Sequence, residues 1–208
     1  MVTLEFLDRK LSLLNIFEII SSIERTGIWR ISEALGERSR QVLLRRAEAL
    51  NYVPLPEQND YGVEQHMASA QDVTGIEPFA KFALEVGLWL SYRFGIIEGW
   101  GHMRLTFDDV AVQRYNACAI GISPHKDSRA RVLLIALVSL SGTAKFSTCQ
   151  GRDIASARTT IETKPGDLVL MRAPGFAGVT DVERPFHSVY NIAGPRHVVA
   201  LRVKKRVT

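Results

Sequence analysis

Cysteine is scarce in this sequence, and its scarcity excludes one class of metal site. Cys118 and Cys149 are the two cysteines, and their separation fits no thiolate zinc-binding motif. We therefore expect both to be free, buried thiols in a reducing compartment. This cysteine usage predicts a cytoplasmic protein.

Long apolar runs are also missing. No uninterrupted stretch approaches the length of about 20 residues that a membrane-spanning helix requires. The opening residues, MVTLEFLDRKLSLL, mix charges into their apolar positions, which is not the pattern of a signal peptide. From these two features we expect no membrane partner. The sequence also has no internal repeats and no low-complexity segment, so we expect no solenoid.

The overall composition is that of a globular domain. The chain has 208 residues, of which 46% are hydrophobic and 23% charged, enough for one domain with a substantial core. Its net charge is +4 and its pI about 9.2. This positive balance allows contact with a polyanion such as nucleic acid but does not establish it.

Helical periodicity is confined to the first half of the chain. Apolar residues at helical spacing predict helices over residues 12–26, 39–51 and from Pro78 onward. Gly27 is the expected stop of the first helix and Ser39 the expected cap of the second. The predicted buried stripes are Leu13, Ile16, Phe17, Ile20 and Ile23; Val42, Leu43, Ala47 and Leu50; and Phe79, Phe82, Val86 and Leu90.

The second half reads as short strands separated by turn residues. The long segment 54–75 shows no clear period and is predicted to be a loop with at most one short strand. Seven apolar, β-branched runs follow it, which favours a sandwich or barrel. The predicted class is α+β, with strands at residues 110–115, 132–140, 144–148, 159–163, 167–172, 186–190 and 197–203.

Two histidines and one aspartate in the strand-rich half have the composition of a metal site. His125 and Asp127 lie two residues apart, so an extended backbone sends both side chains to one face. His187 follows in another extended run. Two imidazoles and a carboxylate form the facial triad of non-haem Fe(II) oxygenases. Taken singly, His125 is better explained as a turn residue and His187 as a partly buried strand residue, so the assignment needs further support.

The last strand supplies that support. Arg196, Val198, Ala200 and Arg202 alternate, so a strand sends all four to one face. Two arginines among apolar neighbours are costly unless an anion meets them, and a dicarboxylate fits the guanidinium fork. Tyr115, at the end of an earlier strand, is a candidate second anchor for that anion.

These motifs occur in a familiar order. The run VQRYNACAIGISPHKDSRA, the strand pair LLIALVSLSGTAKFS, the turn KPGDLVLM and the spacing of Arg196 and Arg202 resemble the 2-oxoglutarate/Fe(II) dioxygenase superfamily, and most closely its AlkB-like branch. The resemblance covers residues 108–206. It implies a double-stranded β-helix, or jelly roll, with the iron at its mouth. It also implies a single domain over 1–208, with 1–107 as helical support and substrate-lid region and 108–206 as the catalytic core.

The resemblance assigns a role to each matched residue. His125, Asp127 and His187 would be catalytic and hold Fe(II), with O₂ as the other co-substrate. Tyr115 and Arg196 would bind the distal carboxylate of 2-oxoglutarate. Arg202 would orient that co-substrate near the metal, and Gln113 takes the place of a family asparagine. The implied reaction hydroxylates or oxidatively demethylates a substrate C–H and releases succinate and CO₂.

The prime substrate is open at this stage. AlkB-like order and the basic pI favour a nucleobase in nucleic acid. Arg129 stands where the AlkB pattern has an acid that helps to read the base, which favours a small molecule or protein side chain. Tyr52 and Tyr61 are candidates for stacking on a planar substrate. A non-enzymatic jelly-roll metal-binding protein is the remaining alternative.

Overall fold

The computed structural model describes residues 5–101, 103–178 and 184–205. Its α-helices are α1 (Ile16–Thr26), α2 (Glu37–Glu48) and α3 (Phe79–Gly95). Its strands are β1 (Ile28–Ile31), β2 (Val53–Pro54), β3 (Ala68–Ala70), β4 (Asp109–Tyr115), β5 (Ile122–His125), β6 (Arg131–Cys149), β7 (Ala157–Thr163), β8 (Leu168–Arg172) and β9 (Phe186–Lys204).

Two long strands form the backbone of the fold. β6 and β9 are each 19 residues long and pair antiparallel from end to end. Each joins two of the strands predicted from the sequence. The register shifts repeatedly between Ser139 and Lys145, and such bulges bend a ribbon sharply. Gly142 lies in this bend at a φ of 66°, where a Cβ would approach that of Arg196 to 2.8 Å.

The bent ribbon takes part in two sheets. On one side of the bend the order is β2-β3-β4-β9-β6-β8-β1, and on the other it is β5-β9-β6-β7. Side chains of both sheets pack together in one cluster that includes Ile135 and Val169 from the larger sheet and Phe146 and Val189 from the smaller. Two facing antiparallel sheets joined in this way form a jelly roll, so the predicted fold class is confirmed.

The outer face of the larger sheet carries the helices. A second cluster joins α1, α2 and α3 to sheet residues such as Leu134, Leu168, Val199 and Leu201. Adjacent residues of β9 therefore point alternately to the helices and to the space between the sheets. This explains why Arg196 to Val203 are all buried, as the sequence predicted for a strand covered on both faces.

The first half of the chain contributes strands as well as helices. β1 pairs with β8, β2 with β3, and β3 with β4, so these three short strands extend the larger sheet at its edges. The periodicity rule missed β1 and β2 because four and two residues are too few to show alternation. β3 is the single short strand expected within residues 54–75.

Both predicted helix starts need correction. The first helix begins at Ile16 rather than residue 12, because the Asn15 side chain caps it by accepting from the Phe17 N–H. A 3₁₀ turn, Arg9–Leu13, precedes it. The second begins at Glu37 after Gly36, and the Ser39 hydroxyl donates instead to the Glu5 carbonyl. Gly27 ends α1 in the left-handed conformation as expected.

The buried stripes are mostly those predicted. Phe79, Phe82, Val86 and Leu90 are fully buried on α3. Leu13 and Phe17 are 85% and 65% exposed and Val42 is 36% exposed, so these three predictions were wrong. Leu13 precedes the corrected start of α1, which removes it from the helical face. Among the described residues, no helix has the length and apolar character that crossing a bilayer requires.

A buried carboxylate anchors the start of the chain to α3. Glu85 is 8% exposed and accepts hydrogen bonds from the backbone N–H groups of Glu5, Phe6 and Leu7 at 2.8–3.2 Å. Charged acceptors of this kind stabilise by more than neutral ones. These hydrogen bonds thus offset the cost of burying the Glu85 carboxylate. They also provide an acceptor for three backbone N–H groups that precede α1 in the sequence.

Replacing Glu85 with alanine should lower the free energy of unfolding by about 2–4 kcal/mol, because three amide groups lose their acceptor. Urea unfolding monitored by tryptophan fluorescence measures this change. Glu24→Ala, on the exposed side of α1, is the matched control and should have little effect. Equal stability of the two variants would refute the anchoring role.

Candidate metal centre

Strand pairing brings the two histidines together. His125 ends β5 and pairs directly with His187, the second residue of β9. Their ring centroids lie 4.2 Å apart. The close approach of the two strands depends on Gly121, whose φ is 103°. A Cβ there would lie 2.0 Å from the Val189 carbonyl oxygen.

Asp127 completes the cluster. Its Oδ2 lies 3.5 Å from His187 Nε2. One donor atom from each of His125, Asp127 and His187 lies within 4.8 Å of the other two. The structure therefore assembles the three predicted metal ligands, which are 62 residues apart at the extremes (187 minus 125).

The protonation states of the cluster suit a divalent ion. Burial lowers the pKa of His187 to about 3, with His125 acting in the same direction and Asp127 against it. Burial alone would raise the pKa of Asp127, but His187, His125, Arg202 and Arg131 together lower it. At neutral pH the set is thus a carboxylate beside a neutral His187 imidazole, as metal ligation requires.

Neighbouring groups hold both imidazole rings. His125 Nδ1 lies 2.9 Å from the Ser123 carbonyl oxygen, so Nδ1–H donates and Nε2 keeps its lone pair for a ligand. The Phe146 ring stacks on the His187 ring, with 5.6 Å between the ring centroids and an interplanar angle of 12°. Two oriented imidazoles and a carboxylate, without thiolate, match the donor set that selects non-haem Fe(II).

A narrow cavity of about 30 Å³ opens beside the cluster between the two sheets. Three of the four predicted co-substrate residues, Gln113, Tyr115 and Arg202, line it. The other lining residues are Ile122, His125, Asp127, Ile135, Leu137, Phe146, His187, Val189 and Ala200.

Tyr115 and Gln113 form one wall of this cavity. The Tyr115 hydroxyl lies 3.4 Å from Gln113 Oε1. Burial raises the pKa of Tyr115 to about 12, although Arg196 lowers it. The phenol is therefore neutral at physiological pH and can donate a hydrogen bond to an anion in the cavity.

Arg196 lies behind Tyr115 rather than in the cavity wall. Its guanidinium carbon is 5.3 Å from the centre of the Tyr115 ring. Among the described residues, its hydrogen-bond partners are the Ser139 and Thr163 hydroxyls, at 3.5 and 3.4 Å, and its Nε has none. Burial lowers its pKa. Within the described chain no carboxylate pairs with this 3% exposed guanidinium, which leaves it available for an anion.

Arg202 has a different environment, which the sequence did not reveal. Its Nη2 donates to Asp109 Oδ1 at 2.9 Å, and Arg131 Nε donates to Asp109 Oδ2 at 3.0 Å. Asp109 therefore pairs with two arginines, both of which lower the pKa of Asp127. A signal was present, because Asp109 shares the inward period of β4 with Gln113 and Tyr115.

Other candidates lie elsewhere. Tyr52 contacts Arg114 at 4.5 Å and His197 at 6.0 Å on the helix-facing side of the larger sheet, so it is not placed to stack on a substrate at the cluster. Tyr61 is 79% exposed, and its role stays a prediction. Arg129, two residues after Asp127 in the sequence, is exposed.

Comparison with known proteins places this geometry in context. The chain matches no protein-family model, and no curated protein matches it in sequence. Among solved structures, OsALKBH1 superposes with a TM-score of 0.62 at 15% identity, over 86% of this chain and 99% of that one. The epimerase SnoN in complex with Fe3+, alpha ketoglutarate and nogalamycin RO superposes with a TM-score of 0.63 at 15% identity, over 90% and 82%.

A prolyl-4-hydroxylase of Pseudomonas putida gives a TM-score of 0.63 at 13% identity, over 91% of this chain and 99% of that one. The chain has the fold of the 2-oxoglutarate-dependent oxygenases. The resemblance seen in the sequence is thus confirmed at the level of the fold, and the oxygenase fold here contains a His-Asp-His cluster.

Replacing Asp109 with asparagine should weaken divalent metal binding about tenfold or more, as loss of an outer partner commonly does. Without the Asp109 carboxylate, the positive charges of Arg202 and Arg131 act more strongly on Asp127. They then compete with the metal ion for the Asp127 carboxylate. Titration with Mn(II) under anaerobic conditions measures the dissociation constant.

Asp108→Asn provides the control, since the Asp108 carboxylate accepts only from the Lys204 N–H among its described contacts. It should bind Mn(II) as the wild type does. Indistinguishable dissociation constants for the two variants would show that Asp109 does not support the cluster.

Proposed function

We propose that the protein is an Fe(II)- and 2-oxoglutarate-dependent dioxygenase that hydroxylates or oxidatively demethylates a substrate C–H. The observation that carries the proposal is the convergence of His125, Asp127 and His187 in an oxygenase fold. The fold alone would not suffice, because one fold hosts many functions. The oriented, correctly protonated donor set supplies the chemical argument.

The three ligands would hold the ion by one face and leave the opposite positions open. When bound, Fe(II), 2-oxoglutarate and O₂ supply the oxidation, in which the keto acid becomes succinate and CO₂. The chain contributes orientation through the Ser123 carbonyl and the Phe146 ring. It also excludes water, since His187 is 5% exposed between the sheets.

Arg196 and Tyr115 are proposed to bind the distal carboxylate of 2-oxoglutarate. An unpaired buried guanidinium is costly, and a carboxylate compensates for it with charge-assisted hydrogen bonds. Arg202, fixed by Asp109, and Gln113 would orient the end nearer the metal.

A nucleobase in nucleic acid is the first proposed substrate. The AlkB-like motif order, the pI of about 9.2 and the similarity to the OsALKBH1 fold support it. An oxygenase acting on a small molecule or protein side chain is the second, favoured by the basic Arg129 at the position where the AlkB pattern has an acid. The similarity of fold to SnoN and the prolyl-4-hydroxylase agrees with that second proposal.

Location and domain organisation remain proposals. Both cysteines are free, which agrees with a reducing compartment such as the cytoplasm. Cys149 is buried as expected, but Cys118 is exposed, so that part of the prediction was wrong. The single domain over 1–208 is retained, with the addition that strands from residues before 108 belong to the larger sheet.

With Fe(II), 2-oxoglutarate, ascorbate and O₂, the wild type should form succinate even without prime substrate. His187→Ala should reduce this to the level of the protein-free reaction, because the ion loses a ligand. His66→Ala, outside the cavity lining, should retain it. Equal succinate formation by the two variants would contradict the assignment. No succinate from the wild type would favour the non-enzymatic metal-binding alternative.

Arg196→Met should raise the KM for 2-oxoglutarate about ten- to hundredfold, the loss expected for hydrogen bonds to a charged group. The maximal rate at saturating co-substrate should fall much less. Arg45→Met, exposed on α2, serves as the control for loss of a positive charge. An unchanged KM in Arg196→Met would exclude this residue from co-substrate binding.

A further inference from the structure

A second and larger concavity lies beside the metal centre. It encloses about 400 Å³ and is lined by five cationic side chains. No acidic side chain lines it among the residues that the structure describes. The five cationic residues are Arg25, Lys126, Arg158, Arg172 and Arg184, and we call this concavity the basic groove.

The basic groove is continuous with the metal centre. A small gap between them is lined by Arg172 and Arg184 of the groove and by Asp127 and His187 of the cluster. Arg184 donates to the Asp127 backbone carbonyl. Lys126 lies between two metal ligands in the sequence. A ligand in the groove would therefore have its nearest end at the cluster.

Several of the groove cations are held in place by neutral groups. The Lys126 ammonium lies 4.8 Å from the centre of the Phe186 ring. Arg172 Nη1 donates to the Glu24 carbonyl at 2.5 Å. Counting both acids of the sequence segment 179–183, Asp181 and Glu183, against the five cations would still leave a net charge of about +3.

We propose that the basic groove binds phosphate groups of the substrate while the reactive C–H lies at the metal. This inference rests on the proposed oxygenase function for the identity of the bound molecule as substrate. Phosphate carries up to two charges and several acceptor oxygens, and arginine binds it in a bidentate fork. A single carboxylate would match only one of the five cations.

Phosphate can belong to a nucleic-acid backbone or to a small phosphorylated molecule, and two probes separate these sources. One is a short fluorescein-labelled single-stranded oligonucleotide, measured by anisotropy across a salt series. The other is ADP, measured as a competitor and by calorimetry. Tight oligonucleotide binding that ADP does not displace supports a nucleic-acid backbone. Direct ADP binding that displaces the oligonucleotide supports a small phosphorylated molecule.

Charge reversal tests whether the groove itself is responsible. Arg25→Glu and Arg158→Glu should each weaken binding of the preferred probe about tenfold. Together they should make the salt slope for the oligonucleotide shallower by about 1.4, because each lost phosphate contact removes about 0.7. Both residues are exposed, and unchanged thermal unfolding midpoints would show that the variants fold.

Arg45→Glu is a closely matched control. Arg45 lies in the last turn of α2 as Arg25 lies in the last turn of α1, so net charge and local helix effects change alike. It should bind both probes like the wild type. Equal weakening by Arg45→Glu and Arg25→Glu, or no binding of either probe, would overturn the proposal.

The outcome is separable from that of the proposed function. Probe binding needs neither iron nor turnover, whereas succinate formation by the wild type needs no prime substrate. Selective loss of binding in the groove variants without succinate formation would retain the groove and refute the oxygenase. Succinate formation without a selective loss of probe binding in the groove variants would retain the oxygenase and refute the groove.

Discussion

The bend shared by β6 and β9 is the constraint on which the site depends. One arm of β9 carries His187 against β5, and the other carries Arg196 and Arg202 in the larger sheet. Because the ribbon folds over on itself, residues far apart on one extended strand face the same interior space. Without the bulges between Ser139 and Lys145, the metal ligands and the arginines would lie at opposite ends of a flat sheet.

The buried arginines between the two sheets have two kinds of environment. Arg202 and Arg131 share the Asp109 carboxylate, so each of these two arginines has an ion-pair partner within the protein. Among the described residues, Arg196 has two long hydrogen bonds to hydroxyl groups and no carboxylate partner. A buried arginine that is paired with a carboxylate contributes to structure. A buried arginine without a carboxylate partner favours the binding of an anion. This contrast separates the two arginines that the sequence pattern treats alike.

Much of this arrangement could be predicted from the sequence. The rest could not be predicted, and the reasons are physical. Alternation in β9 predicted burial on both faces, and the His125, Asp127 and His187 set was found from donor chemistry. The bend was not foreseen, because turn residues such as Ser141 and Gly142 look the same in a bulge as between separate strands. Asp109 was missed because its partners lie 22 and 93 residues away (131 and 202 minus 109). Tyr52 was misplaced because a loop without periodicity does not show which side of a sheet it covers.

The order of the strands along the chain also bears on how the protein is made. Its partners β4, β5 and β6 are all synthesised before it, yet β9 pairs with each of them. Until β9 leaves the ribosome, these strands have unpaired edges, and exposed edges recruit other strands. His187 lies on β9, so the His-Asp-His cluster cannot assemble until β9 has been synthesised.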